Sequence, residues 1–272
     1  MDFSIKLSNG IVLKGIAESP GENTKAVIIL VHGLGDHVQR YSNWIDLFRN
    51  EGIGTIAVDL PGHGRSPGKR GHISSYNVVR EMLDILLNTT KQTFRGVPVY
   101  IYGHSMGGGL VLDYLIRTNP GVSGAIVTSP WLKLAFEPPK IKLFIAEVMN
   151  YILPGLLQSS GLNADYISHD KEVVRQYKED PLVHGKISVR LFNICINAAK
   201  FALANAAELK VRTLLIQGKD DKIVSPQGSI EFAANAGKIE FNIFEGGYHE
   251  LHNEPFKSEV FDYILKWINN KT

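Results

Sequence analysis

Several features are scarce or missing in this chain of 272 residues, and each absence narrows the functions open to it. Its one cysteine, Cys195, has no partner for an internal disulfide, so the fold needs no oxidising compartment. The near balance of 29 basic and 27 acidic side chains includes no basic run, which argues against nucleic-acid binding. The nine histidines form no convincing cluster of metal-ligand spacing, so we expect no metal site.

Long uncharged apolar runs are also missing. The most apolar long segment, residues 141–157, contains Lys142, Glu147 and Pro154, which argues against a membrane span. An acidic residue stands at position 2 with no apolar core behind it, so we expect no signal peptide and a cytoplasmic location. A hydrophobic fraction of 44% is typical of a globular protein with a sizeable core.

The most informative segment joins a predicted strand, a glycine turn and a predicted helix. The apolar run 97–102 predicts a buried strand, and residues 108–117 predict a helix. Between them, Gly103-His104-Ser105-Met106-Gly107 has the Gly-x-Ser-x-Gly pattern of a nucleophile elbow, whose glycines permit a strained turn and close packing. The N–H groups at the start of the helix would favour the negative charge of an oxyanion. Ser105 is therefore the candidate nucleophile.

A second match to the same pattern, Gly64-Arg65-Ser66-Pro67-Gly68, is rejected on physical grounds. The residue after the nucleophile must donate its backbone N–H to the oxyanion, and Pro67 has none. No predicted strand leads directly into this match either. We expect Ser66 to be a loop serine.

Strands and helices alternate along most of the chain, which predicts an α/β fold with a mostly parallel sheet covered on both faces. Residues 3–7 and 11–17 flank Asn9-Gly10 and predict an antiparallel hairpin at one edge. The predicted parallel strands are residues 25–31, 54–58, 97–102, 124–128, 213–217 and 239–244.

The segment 131–209 interrupts this alternation, because it contains helical patterns but no strand-like run. We interpret it as a helical cap over the carboxyl ends of the strands, where ligands bind in open α/β sheets. The predicted domains are a core of residues 1–130 and 210–272 and a cap of residues 131–209.

The base and its orienting carboxylate are expected after the last two predicted strands, since the chain order in such folds is serine, acid, histidine. Asp220 and Asp221 follow the first of these strands, and we favour Asp221, with Asp220 shaping the turn. His249 and His252 follow the second, and we favour His249 because it lies nearer to the strand end. Both alternatives stay open at this level.

The loop after the strand 25–31 begins His32-Gly33-Leu34 and would supply the second oxyanion donor. We expect the backbone N–H groups of Leu34 and Met106 to form an oxyanion hole. The His32 ring is predicted to bond the backbone and fix this loop.

With these segments the chain resembles the α/β-hydrolase superfamily, and within it the monoacylglycerol lipase and lysophospholipase group, the Hydrolase_4 or serine aminopeptidase S33-like branch. The resemblance rests on residues 32–41, 59–71 and 103–108 and covers nearly the whole chain outside the insertion. It implies an α/β-hydrolase fold with a mostly parallel central sheet, flanking helices and a helical cap. It also implies that Asp221 is the acid and His249 the base.

The resemblance further implies a substrate pocket. Family members contact glycerol hydroxyls through an acidic residue and an arginine of the first loop and the histidine three after the base, here Asp36, Arg40 and His252. An Asp36–Arg40 ion pair that braces the loop is the alternative. An apolar stripe in the cap would line an acyl tunnel, touch a membrane surface transiently, or pack in the ordinary way. The stripe consists of Ile141, Phe144, Ile145, Val148, Met149 and Ile152.

The predicted activity is hydrolysis of monoacylglycerols or similar single-chain lipid esters by a Ser-His-Asp acyl-enzyme mechanism that needs no cofactor. A generic short-chain carboxylesterase or lysophospholipase is the alternative. A peptidase would need an acidic anchor for a free amino terminus, and none is identified. A ligand-sensing protein on a hydrolase scaffold is the more remote alternative.

Overall fold

A computed structural model describes residues 2–136 and 139–270. The strands of the described part are β1 Asp2–Lys6, β2 Val12–Glu18, β3 Ala26–Val31, β4 Ile53–Val58, β5 Val99–His104, β6 Gly124–Thr128, β7 Leu157–Ser159, β8 Lys186–Ser188, β9 Thr213–Gly218 and β10 Ile239–Phe244. The helices of the same part are α1 Ser42–Asn50, α2 Tyr76–Thr93, α3 Met106–Thr118, α4 Lys140–Ile152, α5 Lys171–Glu179, α6 Val189–Ala204, α7 Pro226–Asn235 and α8 Lys257–Asn269.

Eight strands of the described residues form one sheet in the order β1-β2-β4-β3-β5-β6-β9-β10. The strands from β4 to β10 in this order run parallel, and β2 pairs antiparallel with β4 at one side, with β1 outside it. The predicted α/β class, with a mostly parallel sheet and an N-terminal hairpin at its edge, is confirmed. Because parallel strands end at one edge of the sheet, the loops after β3, β5, β9 and β10 emerge on the same side.

The parallel strands are apolar throughout because helices cover both faces of the sheet. All six residues of β3 are buried, as are those of β5 and β9. One apolar cluster packs beneath α2, α3 and α6, with Leu86, Leu110 and Leu191 at its centre. A second cluster on the opposite face packs beneath α1 and α8, around Phe48 and Ile264.

The segment 131–209 differs from its prediction in one respect. The expectation that it holds no strand is wrong, since β7 and β8 pair antiparallel, with Leu157 opposite Ser188. These strands have three residues each, with one apolar residue apiece, so they are too short to show an alternating apolar pattern in the sequence. Their pairing depends on backbone hydrogen bonds between segments far apart in the chain.

The helices of the same segment differ in burial. Phe144 and Ile152 on α4 are exposed, whereas Leu191 and Ala198 on α6 are buried in the first apolar cluster against α3. The division into core and cap at residues 131 and 209 stays a prediction. Among the residues that the structure describes, no helix is both long and apolar enough to cross a membrane.

Candidate active site

Ser105 lies at the sharp turn between β5 and α3. Its φ of 55° and ψ of −120° are strained for a residue with a side chain, and strain of this kind persists only where the surroundings enforce it. The Ser105 N–H donates to the Thr128 carbonyl at 3.0 Å, and the Ser105 carbonyl accepts from Trp131 N at 2.9 Å. A Cβ on Gly107 would lie 2.3 Å from the Val31 carbonyl oxygen, so the turn requires glycine there. The elbow predicted from the sequence thus has its expected geometry.

Three side chains from separate loops meet at this turn. The Ser105 hydroxyl is 2.8 Å from His249 Nε2, and His249 Nδ1 is 2.8 Å from Asp221 Oδ2. A carboxylate only accepts hydrogen bonds, so Nδ1 carries the ring proton and Nε2 is free to accept from the serine. All three residues are buried, with Ser105 the most exposed at 8%. The arrangement is competent for removing the serine proton.

The loop after β9 fixes the carboxylate of Asp221. Oδ1 accepts from the backbone N–H groups of Ile223 at 2.8 Å and Val224 at 3.1 Å, and Oδ2 also accepts from Gln217 Nε2 at 3.0 Å. Its neighbour Asp220 is exposed, and its backbone N–H donates to the Gly247 carbonyl in the turn. Of the two aspartates that the sequence left in competition, Asp221 is the one bonded to the imidazole.

The two histidines after β10 differ in their surroundings. Burial lowers the pKa of His249, but the adjacent Asp221 carboxylate more than offsets this and raises the pKa above its ordinary value. His252 stacks on the Tyr41 ring at 4.7 Å between centroids, and burial lowers its pKa to about 4. Neither of its ring nitrogens bonds a partner within the described residues. Of the two, His249 is the histidine bonded to the Ser105 hydroxyl.

The expected oxyanion donors flank the serine. Met106 is the first residue of α3, and Leu34 lines the same cavity as Ser105. A Cβ on Gly33 would lie 3.3 Å from Ser105 Cβ, so the loop runs directly against the elbow. His32 Nδ1 lies 2.8 Å from the Gly33 carbonyl, and Leu60 N donates to His32 Nε2 at 2.9 Å. The prediction that the His32 ring bonds the backbone is confirmed.

A cavity of about 640 Å³ opens beside Ser105. Its lining is mostly apolar and combines residues of the predicted core such as Leu34 and Val224 with Ile145 and Met149 of α4. Lys222 is the one charged side chain in the described lining, and Gln158 and its neighbours in the cap add polar atoms. The cavity can hold an apolar chain with one end at the serine.

Asp36 and Arg40 are buried and bonded to one another. Arg40 Nη1 donates to Asp36 Oδ1 at 3.0 Å and to Glu250 Oε1 at 2.8 Å, and Nη2 donates to Glu250 Oε2 at 2.7 Å. Neither residue belongs to the described lining of the cavity, and neither does His252. The ion pair proposed as the alternative for Asp36 and Arg40 is present. Contact of these three residues with substrate stays a prediction.

Other sequence expectations concern loops around the site. Ser66 is buried in a loop, where its hydroxyl donates to the Asp59 carbonyl at 2.6 Å and accepts from Lys14 N at 2.9 Å, so its assignment as a loop serine is confirmed. Within residues 2–136 and 139–270, no group of three or more His, Cys, Asp or Glu side chains is arranged to hold a metal ion.

Three residues of the site were not found from the sequence. Ser129, also at a positive φ of 44°, donates from its hydroxyl to the His249 carbonyl at 2.8 Å. Gln217 bonds Asp221, and Glu250 bonds Arg40. Each lies at the carboxyl end of a strand or beside a proposed catalytic residue, and this position in the sequence could have marked it as part of the site.

Comparison with known proteins agrees with this geometry. The model of the family described as Hydrolase_4, Serine aminopeptidase, S33, matches residues 22–256. A monoacylglycerol lipase from Mycolicibacterium smegmatis is 30% identical over 92% of this chain and 90% of its own length. An uncharacterized abhydrolase domain-containing protein from Dictyostelium discoideum is 36% identical over 90% of this chain, which spans 26% of that longer relative.

Solved structures agree as well. The crystal structure of Paleococcus ferrophilus monoacylglycerol lipase superposes with a TM-score of 0.88 at 32% identity, covering 96% of this chain and 99% of that one. The fold and the family that the sequence resembles are therefore confirmed.

Proposed function

This chain belongs to the Hydrolase_4 family, the serine aminopeptidase S33 family, and from that premise we propose that it hydrolyses monoacylglycerols or closely similar single-chain lipid esters. One observation carries the proposal. Two hydrogen bonds of 2.8 Å link Ser105 through His249 to Asp221, and the serine opens on a mostly apolar cavity of about 640 Å³. A similar protein of known structure is named a monoacylglycerol lipase, which supports the same substrate class.

In the proposed first step, Ser105 attacks the ester carbonyl while His249 Nε2 takes the hydroxyl proton. Asp221 holds the ring in the tautomer that leaves Nε2 free and stabilises the imidazolium that forms. The N–H groups of Leu34 and Met106 stabilise the oxyanion, each contributing about 2.7–4 kcal/mol by analogy with other hydrolases. His249 then returns the proton to the departing glycerol, leaving an acyl-enzyme.

In the second step, His249 removes a proton from water, which attacks the acyl-enzyme carbonyl. Collapse of this second tetrahedral species releases the fatty acid and restores the Ser105 hydroxyl. Both steps use the same relay and oxyanion donors, so no cofactor is required.

The cavity favours an ester substrate over a peptide. The family includes serine aminopeptidases, and a free amino terminus would call for a carboxylate in the pocket. The described lining contains no Asp or Glu side chain and includes the cation Lys222. A neutral glycerol ester with an apolar acyl chain suits this lining better.

We further propose that residues 131–209 form a cap whose α4 helix rests on a lipid surface when substrate is collected. Phe144 and Ile152 on α4 are 61% and 64% exposed, and neither lines the cavity, whereas Ile145 and Met149 of the same helix do. A helix with one apolar face toward a cavity and another toward solvent is suited to an interface.

Activity on a graded series of monoacylglycerols, alongside lysophospholipids and short soluble esters, tests the proposed function. We expect monoacylglycerols to give the highest kcat/KM, and Ser105→Ala to abolish turnover without loss of thermal stability. Higher kcat/KM on short soluble esters or on lysophospholipids would favour those alternative activities. Stoichiometric labelling of Ser105 by a fluorophosphonate without turnover of any ester would favour a ligand sensor.

A further inference from the structure

The ion pair between Arg40 and Glu250 connects two loops that carry different parts of the proposed machinery. Glu250 directly follows His249, and Asp36, the second partner of Arg40, lies two residues after Leu34. A guanidinium bonds a carboxylate through two parallel N–H groups, which fixes orientation as well as distance. Arg40 therefore bonds the loop of the proposed base and the loop of a proposed oxyanion donor with one rigid group.

Both carboxylates of this cluster accept further hydrogen bonds from protein groups. Asp36 Oδ2 accepts from the Tyr41 hydroxyl at 3.0 Å, and Glu250 Oε2 accepts from Asn253 Nδ2 at 2.8 Å. Tyr177 of α5 lies over the guanidinium, with its ring centroid 4.6 Å from Arg40 Cζ. The Arg40 side chain is 9% exposed. These contacts indicate a structural role for Arg40, with Tyr177 of the predicted cap packed over its guanidinium.

The cluster also carries excess negative charge near the proposed base. It contains one cation and two carboxylates, and both Glu250 and Asp36 raise the pKa of His249, secondary to Asp221 and against the effect of burial. The Arg40 cation keeps the pKa of Glu250 at about 2, against the raising effect of burial, so this carboxylate stays ionised. Within the described residues, the titratable and charged groups around His249 are Asp221, His104, His252, Asp36 and Glu250.

We propose that Arg40 is a positioning residue that acts on the reaction through Glu250 and Asp36, by holding the His249 loop against the Leu34 loop. This inference rests on the proposed function, because it assumes that His249 and Leu34 serve ester hydrolysis. It goes beyond the expectation drawn from the family resemblance, in which Arg40 only contacts the glycerol hydroxyls, because a positioning role affects every ester.

Two esters of the same acid separate the two roles of Arg40. Monooctanoylglycerol has glycerol hydroxyls and methyl octanoate has none, so a glycerol contact affects only the first. For Arg40→Lys, which keeps the charge but loses the two-pronged bond, we expect kcat to fall on both esters by about 10- to 100-fold, with KM little changed. Arg117→Lys is the matched control, since Arg117 pairs with the buried Asp113 away from the site.

A loss confined to monooctanoylglycerol, or an unchanged kcat on both esters, would overturn the proposal. If the unaltered protein cleaves neither ester, the proposed function fails instead, so the two failures are distinguishable. Thermal melting of each variant shows whether a loss of activity comes from unfolding.

The pH dependence of kcat/KM gives a second test that a purely structural role would not affect. Glu250→Gln removes one negative charge but keeps a hydrogen-bonding group for Arg40. The imidazolium form of His249 is then less stabilised, so its pKa falls and the acidic limb of the profile moves to lower pH. An acidic limb at the same pH as in the unaltered protein would contradict the proposal, even if Arg40→Lys failed to fold.

Discussion

At the scale of single residues, the proposed chemistry depends on how each catalytic group is held by its neighbours. Asp221 accepts two backbone N–H groups and the Gln217 amide, so its second oxygen points at His249 with little freedom. Ser129 holds the His249 backbone from the other side through its carbonyl. The relay is preorganised before substrate arrives, which is how such sites avoid reorganisation during the reaction.

Adjacent aspartates provide a sharp test at this scale. Asp221→Asn retains the size of the side chain but offers an amide where the ring needs a carboxylate, so the wrong tautomer of His249 is favoured. By analogy with serine proteases we expect kcat to fall by about 10³- to 10⁴-fold. Asp220→Asn is the matched control, because Asp220 is exposed, and its kcat should be unchanged. Equal losses in both variants would remove Asp221 from the proposed relay.

At the scale of secondary-structure elements, two junctions matter for function. The turn between β5 and α3 brings backbone against backbone, since Gly107 lies against the Val31 carbonyl and Gly103 against Gly107. In the cap, α4 offers side chains to the cavity from one face and exposes others to solvent. The turn between β5 and α3 is rigid because its backbone atoms are in close contact. The exposed face of α4 is an apolar surface of the kind that marks an interaction site.

A methyl group at the elbow should disrupt the first junction. In Gly107→Ala the added Cβ would lie 2.3 Å from the Val31 carbonyl oxygen, so β3 and α3 must move apart. We expect a loss of several kcal/mol in the free energy of unfolding, roughly 2–4, together with loss of activity. Gly237→Ala is the control, since the nearest atom to its added Cβ is 4.0 Å away. Urea unfolding of both variants measures the difference, and equal stability would contradict the argument.

Introducing a negative charge on the exposed side of α4 tests whether this surface binds lipid. Phe144→Glu and Ile152→Glu place a carboxylate where a lipid surface is proposed to bind, but outside the described cavity lining. Sedimentation with phosphatidylcholine vesicles should show weaker binding of both variants, with unchanged hydrolysis of a soluble short-chain ester. Ile230→Glu on α7 is the matched control, because Ile230 is also exposed but belongs to another helix. Vesicle binding unaffected in the α4 variants would rule out this surface.

At the scale of the whole molecule, the sheet separates two apolar clusters. Leu86 of α2 is buried in one cluster and Ile264 of α8 in the other. The loops that carry Ser105, Asp221 and His249 all leave the carboxyl edge of the same sheet, so the scaffold on both faces supports a single proposed site.

This separation predicts additive stability changes. Leu86→Ala should cost about 2–5 kcal/mol and Ile264→Val about 0.5–1.5 kcal/mol in the free energy of unfolding. Because the sheet lies between the two side chains, the double variant should lose the sum of both values to within about 0.5 kcal/mol. A larger deviation in urea unfolding would mean that the two clusters are coupled through the strands.

Much of this fold could be predicted because its signals are local. The runs 124–128 and 239–244 were predicted as strands and have those bounds in β6 and β10. Strand β5 was predicted two residues early, because Val97 and Pro98 continue the apolar run ahead of the strand, which begins at Val99. The pair β7–β8 was missed because a strand of three residues is too short to show a periodic pattern.

The sequence by itself determined the alternation of strands and helices, the elbow at Ser105 and the order of serine, acid and base, because each depends on residues that are neighbours in the chain. Only the tertiary structure decided which aspartate bonds His249, where the cavity opens, and that Arg40 pairs with Glu250. Arg40 and Glu250 are 210 positions apart, and no pattern of neighbouring residues in the sequence predicts a contact over that separation. Their proximity follows from the parallel sheet, which ends its strands at one edge and brings distant loops together.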